Sequence, residues 1–292
     1  MKGIILAGGT GSRLKPNTIS VSKQLLPVFD KPMIYYPLST LMLAKIRDVL
    51  IVTTPRDQST FYDLLGDGRN LGMTISYESQ LKPEGIAQAL LISENFVGNE
   101  SVCLILGDNI FHGSGLGRSL QTKTRIEGAY IFGYEVNDPH NYGVVEINSQ
   151  GNVVSIEEKP SNPKSRIAIP GLYFFDNSCI LKAKNITKSA RNELEITSVL
   201  QMYAAEENLK IELLPRGTAW MDCGTPKTLN DAGNYIRAIE ERQGNKIGSI
   251  EEIAWINKWI TDENLLKFSE YFTNNEYSSY LRNLVIRDSL SI

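Results

Sequence analysis

Short apolar runs alternate with stretches of helical spacing through the first half of the chain. The apolar runs have the length of buried strands, and the stretches between them carry apolar residues three and four positions apart. Strands are predicted at residues 3–7, 49–53, 74–77, 102–106 and 129–134, and helices at 33–44, 59–65, 86–95 and 116–123. This alternation is typical of βαβ units. It predicts an α/β fold with a mixed, mainly parallel, Rossmann-like sheet flanked by helices.

The pattern changes in the second half of the chain. Predicted strands follow one another without long helices at residues 142–147, 153–157 and 172–175, which favours an antiparallel extension of the sheet. Helical and strand patterns alternate again over 194–206, 211–214 and 226–241. Residues 249–292 are helical in pattern and too rich in large apolar side chains for a disordered tail, which predicts a helical C-terminal region.

The first predicted strand runs into a loop with three glycines and two basic residues. Gly8, Gly9 and Gly11 are followed by Arg13 and Lys23. Glycines let a backbone approach a ligand closely and turn its N–H groups toward it, and fixed cations neutralise phosphate charge. The loop is therefore predicted to hold a polyphosphate, and the chain to handle a nucleotide.

The spacing within this loop excludes two common phosphate-binding motifs. A P-loop needs four residues between its first glycine and a Gly-Lys-Ser/Thr, which the loop lacks. The dinucleotide pattern G-x-G-x-x-G fits Gly9 and Gly11, but its third glycine would be Leu14. Pro16 and Pro27 favour an extended loop over an immediate helix.

Composition narrows the possible partners. The 292 residues carry a net charge of -3 and are 22% charged, which offers no basic surface for nucleic acid. No apolar stretch reaches the roughly 18 residues of a membrane span, so no membrane partner is expected. The widely spaced Cys103, Cys179 and Cys223 form neither a disulfide framework nor a zinc motif and favour a cytoplasmic protein.

The glycine loop and a series of later motifs resemble the sugar-nucleotide pyrophosphorylases. The loop reads Gly8-Gly-Thr-Gly-Ser-Arg-Leu-x-Pro and is followed by Ser22-Lys-Gln-Leu-Leu-Pro. Within the family, the resemblance is strongest to the branch that makes dTDP-glucose. Further matching segments follow in the family's order along nearly the whole chain: Leu65-Gly-Asp-Gly, Gly107-Asp-Asn, Tyr142-Gly-Val-Val-Glu, Glu157-Glu-Lys-Pro, Gly171-Leu-Tyr-Phe-Phe-Asp, Glu193-Leu-Glu-Ile-Thr and Ala219-Trp-Met-Asp-Cys-Gly-Thr.

This resemblance implies a nucleotidyltransferase fold, similar to the GT-A type, and a defined reaction. A thymidylyl group would pass from dTTP to α-D-glucose 1-phosphate, giving dTDP-glucose and pyrophosphate, as a first step toward dTDP-rhamnose and polysaccharides. The attacking phosphate has a second pKa of ~6, so it is ionised at neutral pH and needs no general base. Orientation and charge neutralisation, with Mg²⁺ as cofactor, would supply the catalysis.

The resemblance also implies how the chain is organised. Residues 1–248 would form a nucleotidyltransferase core, with a nucleotide-binding part at about 1–128 and a sugar-phosphate-binding part at about 129–248. Residues 249–292 would form a helical extension, packed either on the core or at a subunit interface. The family pattern implies a homo-oligomer, specifically a tetramer.

Five residues are expected to carry the catalysis. Asp108 follows a buried strand, where open α/β sheets bind ligands, and Mg²⁺ commonly takes one or two carboxylates together with substrate phosphates. The family pattern makes Asp108 and Asp222 the metal ligands. It places Arg13 on the leaving pyrophosphate, and Lys23 and Lys159 on the substrate phosphates.

The remaining assignments by resemblance define two substrate sites. The nucleotide-binding residues would be Leu6, Gly8, Gly9, Gly11, Arg13, Gln24, Gln80, Pro83, Gly85 and Asp108. The sugar-phosphate-binding residues would be Tyr142, Gly143, Glu158, Lys159, Ile169, Arg191 and Glu193. Glu193 is equally consistent with an acidic residue at a helix N-terminus.

Several positions depart from the family pattern and leave alternatives open. Pro170, Asn192 and residues 198–200 differ beside the sugar site, so UTP or another hexose 1-phosphate is an alternative substrate. Residues 110–115 also differ, so a regulatory nucleotide site of the family is not carried over. A non-catalytic nucleotide-sugar sensor is the alternative of another class, but a sensor has no need of the leaving-group Arg13.

Overall fold

The computed structural model describes residues 1–289, over which it has fourteen strands and eleven α-helices. The strands are β1 (Lys2–Ala7), β2 (Pro27–Val28), β3 (Lys31–Pro32), β4 (Asp48–Thr53), β5 (Thr74–Ser79), β6 (Val102–Leu106), β7 (Asn109–His112), β8 (Ala129–Glu135), β9 (Gly143–Ile147), β10 (Val153–Glu158), β11 (Ile167–Ala168), β12 (Leu172–Phe175), β13 (Leu209–Leu213) and β14 (Ala219–Asp222). The helices are α1 (Tyr35–Leu43), α2 (Gln58–Leu65), α3 (Gln88–Ile92), α4 (Glu94–Val97), α5 (Leu116–Gln121), α6 (Ser178–Asn185), α7 (Ile196–Ala205), α8 (Pro226–Gln243), α9 (Ile250–Ile256), α10 (Asp262–Tyr271) and α11 (Glu276–Ser289).

Ten strands form one central mixed sheet in the order β10-β9-β11-β8-β12-β6-β1-β4-β5, with β13 added alongside β8. β1 lies between β4 and β6 and is parallel to both, and β5 extends the parallel part. β12 runs antiparallel between β6 and β8, and the pairs that β9 forms with β10 and β11 are also antiparallel. The predicted α/β fold, with an antiparallel extension in the second half, is confirmed.

Helices cover both faces of the sheet because its central strands are apolar on both sides. Successive side chains of a strand point to opposite faces. Ile5 belongs to the core beneath α1 and the C-terminal helices, whereas Ile4 belongs to the core beneath α3, α6 and α7. Both side chains are completely buried.

The C-terminal helices pack on the same core. Ile250, Ala254, Leu265 and Leu281 from α9, α10 and α11 belong to the cluster that contains Ile5. Residues 290–292 of the predicted extension lie outside the described residues. Among the helices that the structure describes, none combines the length and apolar character needed to cross a membrane.

Several local features differ from the sequence prediction, including α6 and the β2–β3 pair, which were not predicted. The single helix predicted at 86–95 is divided into α3 and α4 around Ser93. The predicted extended loop after β1 contains two single-turn 3-10 helices, at Ser12–Leu14 and Lys23–Leu25. The pattern also missed the antiparallel pair of β7 and β14, which aligns Asp222 with Asn109. This last pair brings distant parts of the chain to one site.

Candidate active site

Two adjoining cavities open beyond the carboxyl ends of β1, β5 and β6. The larger has a volume of about 490 Å³ and the smaller about 210 Å³. They share a wall made of Ile86, Leu106, Asp108 and Glu193. Because parallel strands end at the same edge of a sheet, residues distant in sequence meet here.

The larger cavity gathers the predicted sugar-phosphate site. All seven predicted residues line it: Tyr142, Gly143, Glu158, Lys159, Ile169, Arg191 and Glu193. Arg13, Asp108 and Asp222 line it as well, so the lining combines three basic residues with both predicted metal ligands. Trp220, which the sequence analysis did not single out, forms another part of its wall and lies edge-on to Tyr142, with ring centroids 5.0 Å apart.

The smaller cavity gathers most of the predicted nucleotide site. Its lining includes Leu6, Gly9, Lys23, Gln24, Gln80, Pro83, Gly85 and Asp108. The apolar side chains of Leu6 and Pro83 beside the two buried amides, Gln24 and Gln80, suit a flat ring with a polar edge. Gly8 and Gly11 do not line either cavity. Gly8 instead lies under Gln80, and Gly11 adopts a left-handed conformation (φ 59°) before the first 3-10 turn.

Asp108 lies on the shared wall and is held by two donors. Lys23 Nζ donates to its Oδ2, and Asn109 Nδ2 donates to its Oδ1 at 2.9 Å. Burial raises the pKa of this carboxyl, but the Lys23 ammonium and the hydrogen bonds outweigh burial and leave the pKa below its usual value. Asp108 is therefore a carboxylate at neutral pH.

The pKa of Asp222 is shifted in the opposite direction to that of Asp108. Burial and the negative charge of Asp108 raise its pKa to about 6, although Lys23, Arg13 and Lys159 act against that rise. The β7–β14 pair fixes the two acids near each other, and the Cys223 N–H donates to the Asp108 carbonyl at 3.0 Å. A cation between the two carboxylates would relieve their repulsion.

These two acids fit a magnesium ion by their chemistry. Mg²⁺ prefers oxygen ligands and usually keeps one or two carboxylates with water and substrate phosphates. Within residues 1–289 no cluster of three or more histidine, cysteine or acidic ligands occurs, so protein atoms alone would not complete the shell. Phosphate oxygens of a bound substrate would supply the remaining ligands.

Arg13 lies beside this acidic pair because of a glycine. A Cβ added to Gly224 would meet Arg13 Nη2 at 2.7 Å and Asp222 Oδ1 at 3.2 Å. The Gly224 position therefore leaves room for the guanidinium against the carboxylate. Arg13 is itself exposed toward the larger cavity, where it can reach an anionic ligand.

Lys159 and Glu158 lie at the end of β10 on the other side of this cavity. Lys159 has a left-handed backbone (φ 43°), which is uncommon for a residue with a side chain. Its N–H donates to the Tyr142 carbonyl at 3.0 Å, which ties it to the start of β9. Burial and the charge of Glu195 raise the pKa of Glu158.

Arg191 is surrounded by acidic side chains. It pairs with Glu193 at 2.9 Å, Glu195 at 3.3 Å and Glu158 at 3.4 Å. Glu195, rather than Glu193, directly precedes α7, and Glu193 lines both cavities. Asn192 has a φ of 60°, which explains why the asparagine can replace the glycine usual in the family, since asparagine tolerates the left-handed region.

Comparisons with known proteins identify the family. A family model described as nucleotidyl transferase matches residues 2–239. The chain is 52% identical to the glucose-1-phosphate thymidylyltransferase of Mycobacterium tuberculosis (strain H37Rv), over 99% of this chain and 100% of that protein. It is 50% identical to the Neisseria meningitidis protein of the same name, over 98% and 99% of the two chains. The chain belongs to the glucose-1-phosphate thymidylyltransferase family.

Solved structures agree with this membership. A Bacillus anthracis crystal structure, assigned as a glucose-1-phosphate thymidylyltransferase and holding a sucrose, matches with a TM-score of 0.75 at 40% identity. The match covers 81% of this chain and 95% of that one. A UDP-glucose pyrophosphorylase bound to UDP-glucose matches with a TM-score of 0.71 at 24% identity, which supports the fold alone.

Several residues of this nucleotidyl transferase were missed by sequence reasoning. Asn109 and Trp220 lie inside the quoted motifs, but a role was predicted only for Asp108 and Asp222 of those motifs. Gln88 hydrogen-bonds Gln80 behind the smaller cavity. A polar residue beside a predicted site residue is the signal that could have found the first two. Gln88 ends the predicted base-binding segment, residues 80–88, but its hydrogen bond to Gln80 depends on how the loop between them folds.

Proposed function

We propose that this enzyme transfers the thymidylyl group of dTTP to α-D-glucose 1-phosphate, giving dTDP-glucose and pyrophosphate. One observation carries the proposal. Two cavities share a wall at Asp108, and their other linings differ: the side-chain amides of Gln24 and Gln80 line only the smaller, whereas Lys159 and Arg191 line only the larger, where a phosphorylated sugar would bind. The relatives named above supply the substrate names.

In the proposed reaction, the sugar phosphate attacks the α-phosphorus of dTTP from the side opposite the leaving pyrophosphate. Lys159 and Arg191 orient the sugar phosphate from the larger cavity. Lys23 and Arg13 neutralise the triphosphate, and Arg13 stabilises the charge that develops on pyrophosphate. The chain's contribution is thus orientation and fixed charge, which need no proton transfer from a side chain.

Asp108 and Asp222 would hold a Mg²⁺ ion in this proposal. When bound, that ion screens the triphosphate charge and draws electron density from the transferred phosphoryl group. Asn109 keeps Asp108 in place, and the β7–β14 pair keeps Asp222 beside it.

The remaining proposals concern the organisation of the chain, its assembly, its location and its product. The proposed division of the core near residue 128 is supported by the sheet order, in which β8 and the strands after it join the parallel strands only through β12, which is antiparallel to both β6 and β8. We further propose a homotetramer to which the C-terminal helices contribute contacts, a cytoplasmic location, and a supply of dTDP-glucose toward dTDP-rhamnose and polysaccharides. Three buried free cysteines within the described residues are compatible with a reducing compartment.

The experiment that tests the reaction is a grid of nucleotides and sugar 1-phosphates. The full chain is mixed with Mg²⁺ and each pair, pyrophosphate release is followed, and the nucleotide sugar is identified by mass spectrometry. We expect dTTP with glucose 1-phosphate to react best. The preference for dTTP over UTP should be ~10–10³-fold in kcat/KM, because one methyl and one excluded hydroxyl give limited discrimination.

The outcomes separate the alternatives. Equal or better use of UTP would assign the chain to uridylyl transfer, and a better response to another hexose 1-phosphate would change the sugar. Binding of dTDP-glucose without pyrophosphate release from any pair would indicate a sensor. Asp108→Asn is the inactive control, since it removes one metal-ligand charge while keeping the side-chain shape.

A further inference from the structure

A chain of hydrogen bonds runs behind the smaller cavity. It joins Gln80, which lines the cavity and is 3% exposed, to Gln88 at the start of α3 and on to Glu84. Lys188 Nζ closes the chain at the surface by donating to Glu84 Oε1 at 2.5 Å. Gln88 ends the predicted base-binding segment, residues 80–88, and the proposed function gives it no role.

The orientation of the Gln88 amide is fixed from both ends. The backbone N–H of Glu84 donates to Gln88 Oε1 at 2.9 Å, and an N–H group can only donate. The Glu84 carboxylate accepts from Gln88 Nε2 at 3.1 Å, and a carboxylate can only accept. Reversing the amide would set donor against donor and acceptor against acceptor.

The fixed amide of Gln88 in turn fixes Gln80. Only the Nε2 group of Gln80 can serve the Gln88 oxygen, and it does so at 2.6 Å. The Gln80 oxygen is then turned to the other side, over the glycine loop, where it lies 2.3 Å from the place a Cβ on Gly8 would take. An amide that could rotate freely would offer either a donor or an acceptor on that side.

The loop that carries Glu84 is itself anchored. The Glu84 carbonyl accepts from the Leu194 N–H at 2.6 Å, and the Ala87 N–H donates to the Leu194 carbonyl at 3.1 Å. Gly85 has a φ of 112°, and a Cβ there would meet Leu194 O at 2.3 Å. The segment that orients Gln88 is therefore held against the 193–195 segment independently of Lys188.

We propose that Gln88 is a positioning residue that selects pyrimidines with an imide edge, thymine and uracil, over cytosine. This inference rests on the proposed function, in which the smaller cavity holds the base. Thymine and uracil carry an N3–H donor, which the fixed Gln80 oxygen accepts. Cytosine carries an N3 lone pair and would set acceptor against acceptor, which leaves a buried polar group unpaired.

Gln88→Met tests this, because methionine keeps the length of the side chain but neither donates nor accepts. We expect the ratio of kcat/KM for dTTP to that for dCTP to fall by about 10–100-fold, the effect of one released hydrogen-bond constraint. The ratio of dTTP to UTP should stay unchanged, since both bases have the same imide edge. Gln121→Met, on the exposed side of α5, is the matched control.

A swapped double variant, Gln88→Glu with Glu84→Gln, supplies the rescue. The new carboxylate still accepts from Gln80 Nε2 and from the backbone N–H, and the new amide still donates to it. We expect the swap to restore the dTTP preference. A Lys188→Ala variant should keep that preference, because the loop stays anchored by Leu194.

The outcomes distinguish this inference from the proposed function. If wild-type enzyme does not use dTTP, the proposed function fails first. If it does, and Gln88→Met lowers the rates with dTTP, UTP and dCTP in equal proportion, Gln88 is merely structural and the inference is overturned. Failure of the swap to restore the ratio while the enzyme remains folded also overturns it.

Discussion

The indole Nε1 of Trp220 donates to Oδ1 of Asn109 at 2.7 Å, across the pair of short strands β7 and β14. The Gly171 N–H donates to the same oxygen at 3.1 Å. With its oxygen occupied by two donors, the Asn109 amide must turn its Nδ2 to Asp108. Trp220 thus orients a proposed metal ligand through one intermediate residue.

Trp220→Phe should lower kcat/KM by ~3–10-fold, the effect of one hydrogen bond, and raise the Mg²⁺ concentration for half-maximal rate. Phenylalanine keeps an aromatic ring against Tyr142 but removes the indole donor. Steady-state kinetics over a Mg²⁺ series would measure both effects. Trp255→Phe is the matched control, because it removes an indole donor bonded to Asp262 outside both cavities. An unchanged Mg²⁺ dependence in Trp220→Phe would contradict the orienting role.

Asp108→Asn and Asp222→Asn should each abolish Mg²⁺-dependent turnover while the fold persists. Each change removes one negative charge from the proposed metal site and keeps the side-chain volume. Pyrophosphate release and thermal unfolding, measured on the same samples, would check the two halves of this expectation. Asp231→Asn, at an exposed position of α8, is the control. Near-wild-type activity at limiting Mg²⁺ would remove that residue from the metal site.

Arg13→Ala should lower kcat by ~10²–10⁵-fold, the range seen for single oxyanion donors and catalytic arginines. The guanidinium lies beside Asp222 and faces the larger cavity, so it can stabilise charge on the leaving group. Rapid-quench measurement of a single turnover would separate chemistry from product release. A raised KM for dTTP with unchanged kcat would make Arg13 a binding residue only.

At limiting Mg²⁺, activity should fall as the pH drops through about 6. Burial and the Asp108 charge raise the pKa of Asp222 to about 6, and the protonated carboxyl does not bind a cation. Saturating Mg²⁺ should move the midpoint to lower pH, because metal and proton compete for the same oxygens. A pH–rate series at two Mg²⁺ concentrations would show this. Because the sugar phosphate itself ionises at ~6, the Mg²⁺-dependent shift of the midpoint is the diagnostic quantity. A shift of the same size in Asp222→Asn would contradict the assignment of Asp222 as a ligand.

Glu252 on α9 should make stability depend on pH. Burial raises its pKa to about 7 from an ordinary 4.5, so the folded state binds this proton more tightly than the unfolded state does. The stability that results is fully present below pH 4.5 and is lost as the pH rises through 7. Glu252→Gln should therefore gain about 1–3 kcal/mol in unfolding free energy relative to wild type between pH ~5 and ~8.5. Denaturant titrations at both pH values would measure it, with Glu207→Gln as the exposed control. A constant difference between the variants would contradict the raised pKa.

The local sequence pattern was sufficient to predict much of the fold and the central residues of the candidate site. The apolar runs around Ile5 and Leu104 predict buried strands, and the glycine loop with Arg13 follows the first of them. Asp108 follows another such strand, and parallel strands bring their carboxyl ends to one edge. Periodicity and strand-end position are local properties, so a single sequence contains them.

By itself, then, the sequence determined the α/β architecture and, through its motifs, the family, and it predicted a phosphate-binding role for the glycine loop. The tertiary structure decided which polar groups meet. β7 and β14 are four residues each and pair across more than a hundred positions, so neither has a periodicity that predicts the other. The orientation of Asp108 by Asn109, and of Gln80 by Gln88, depends on donors and acceptors that only the folded chain brings within hydrogen-bond distance.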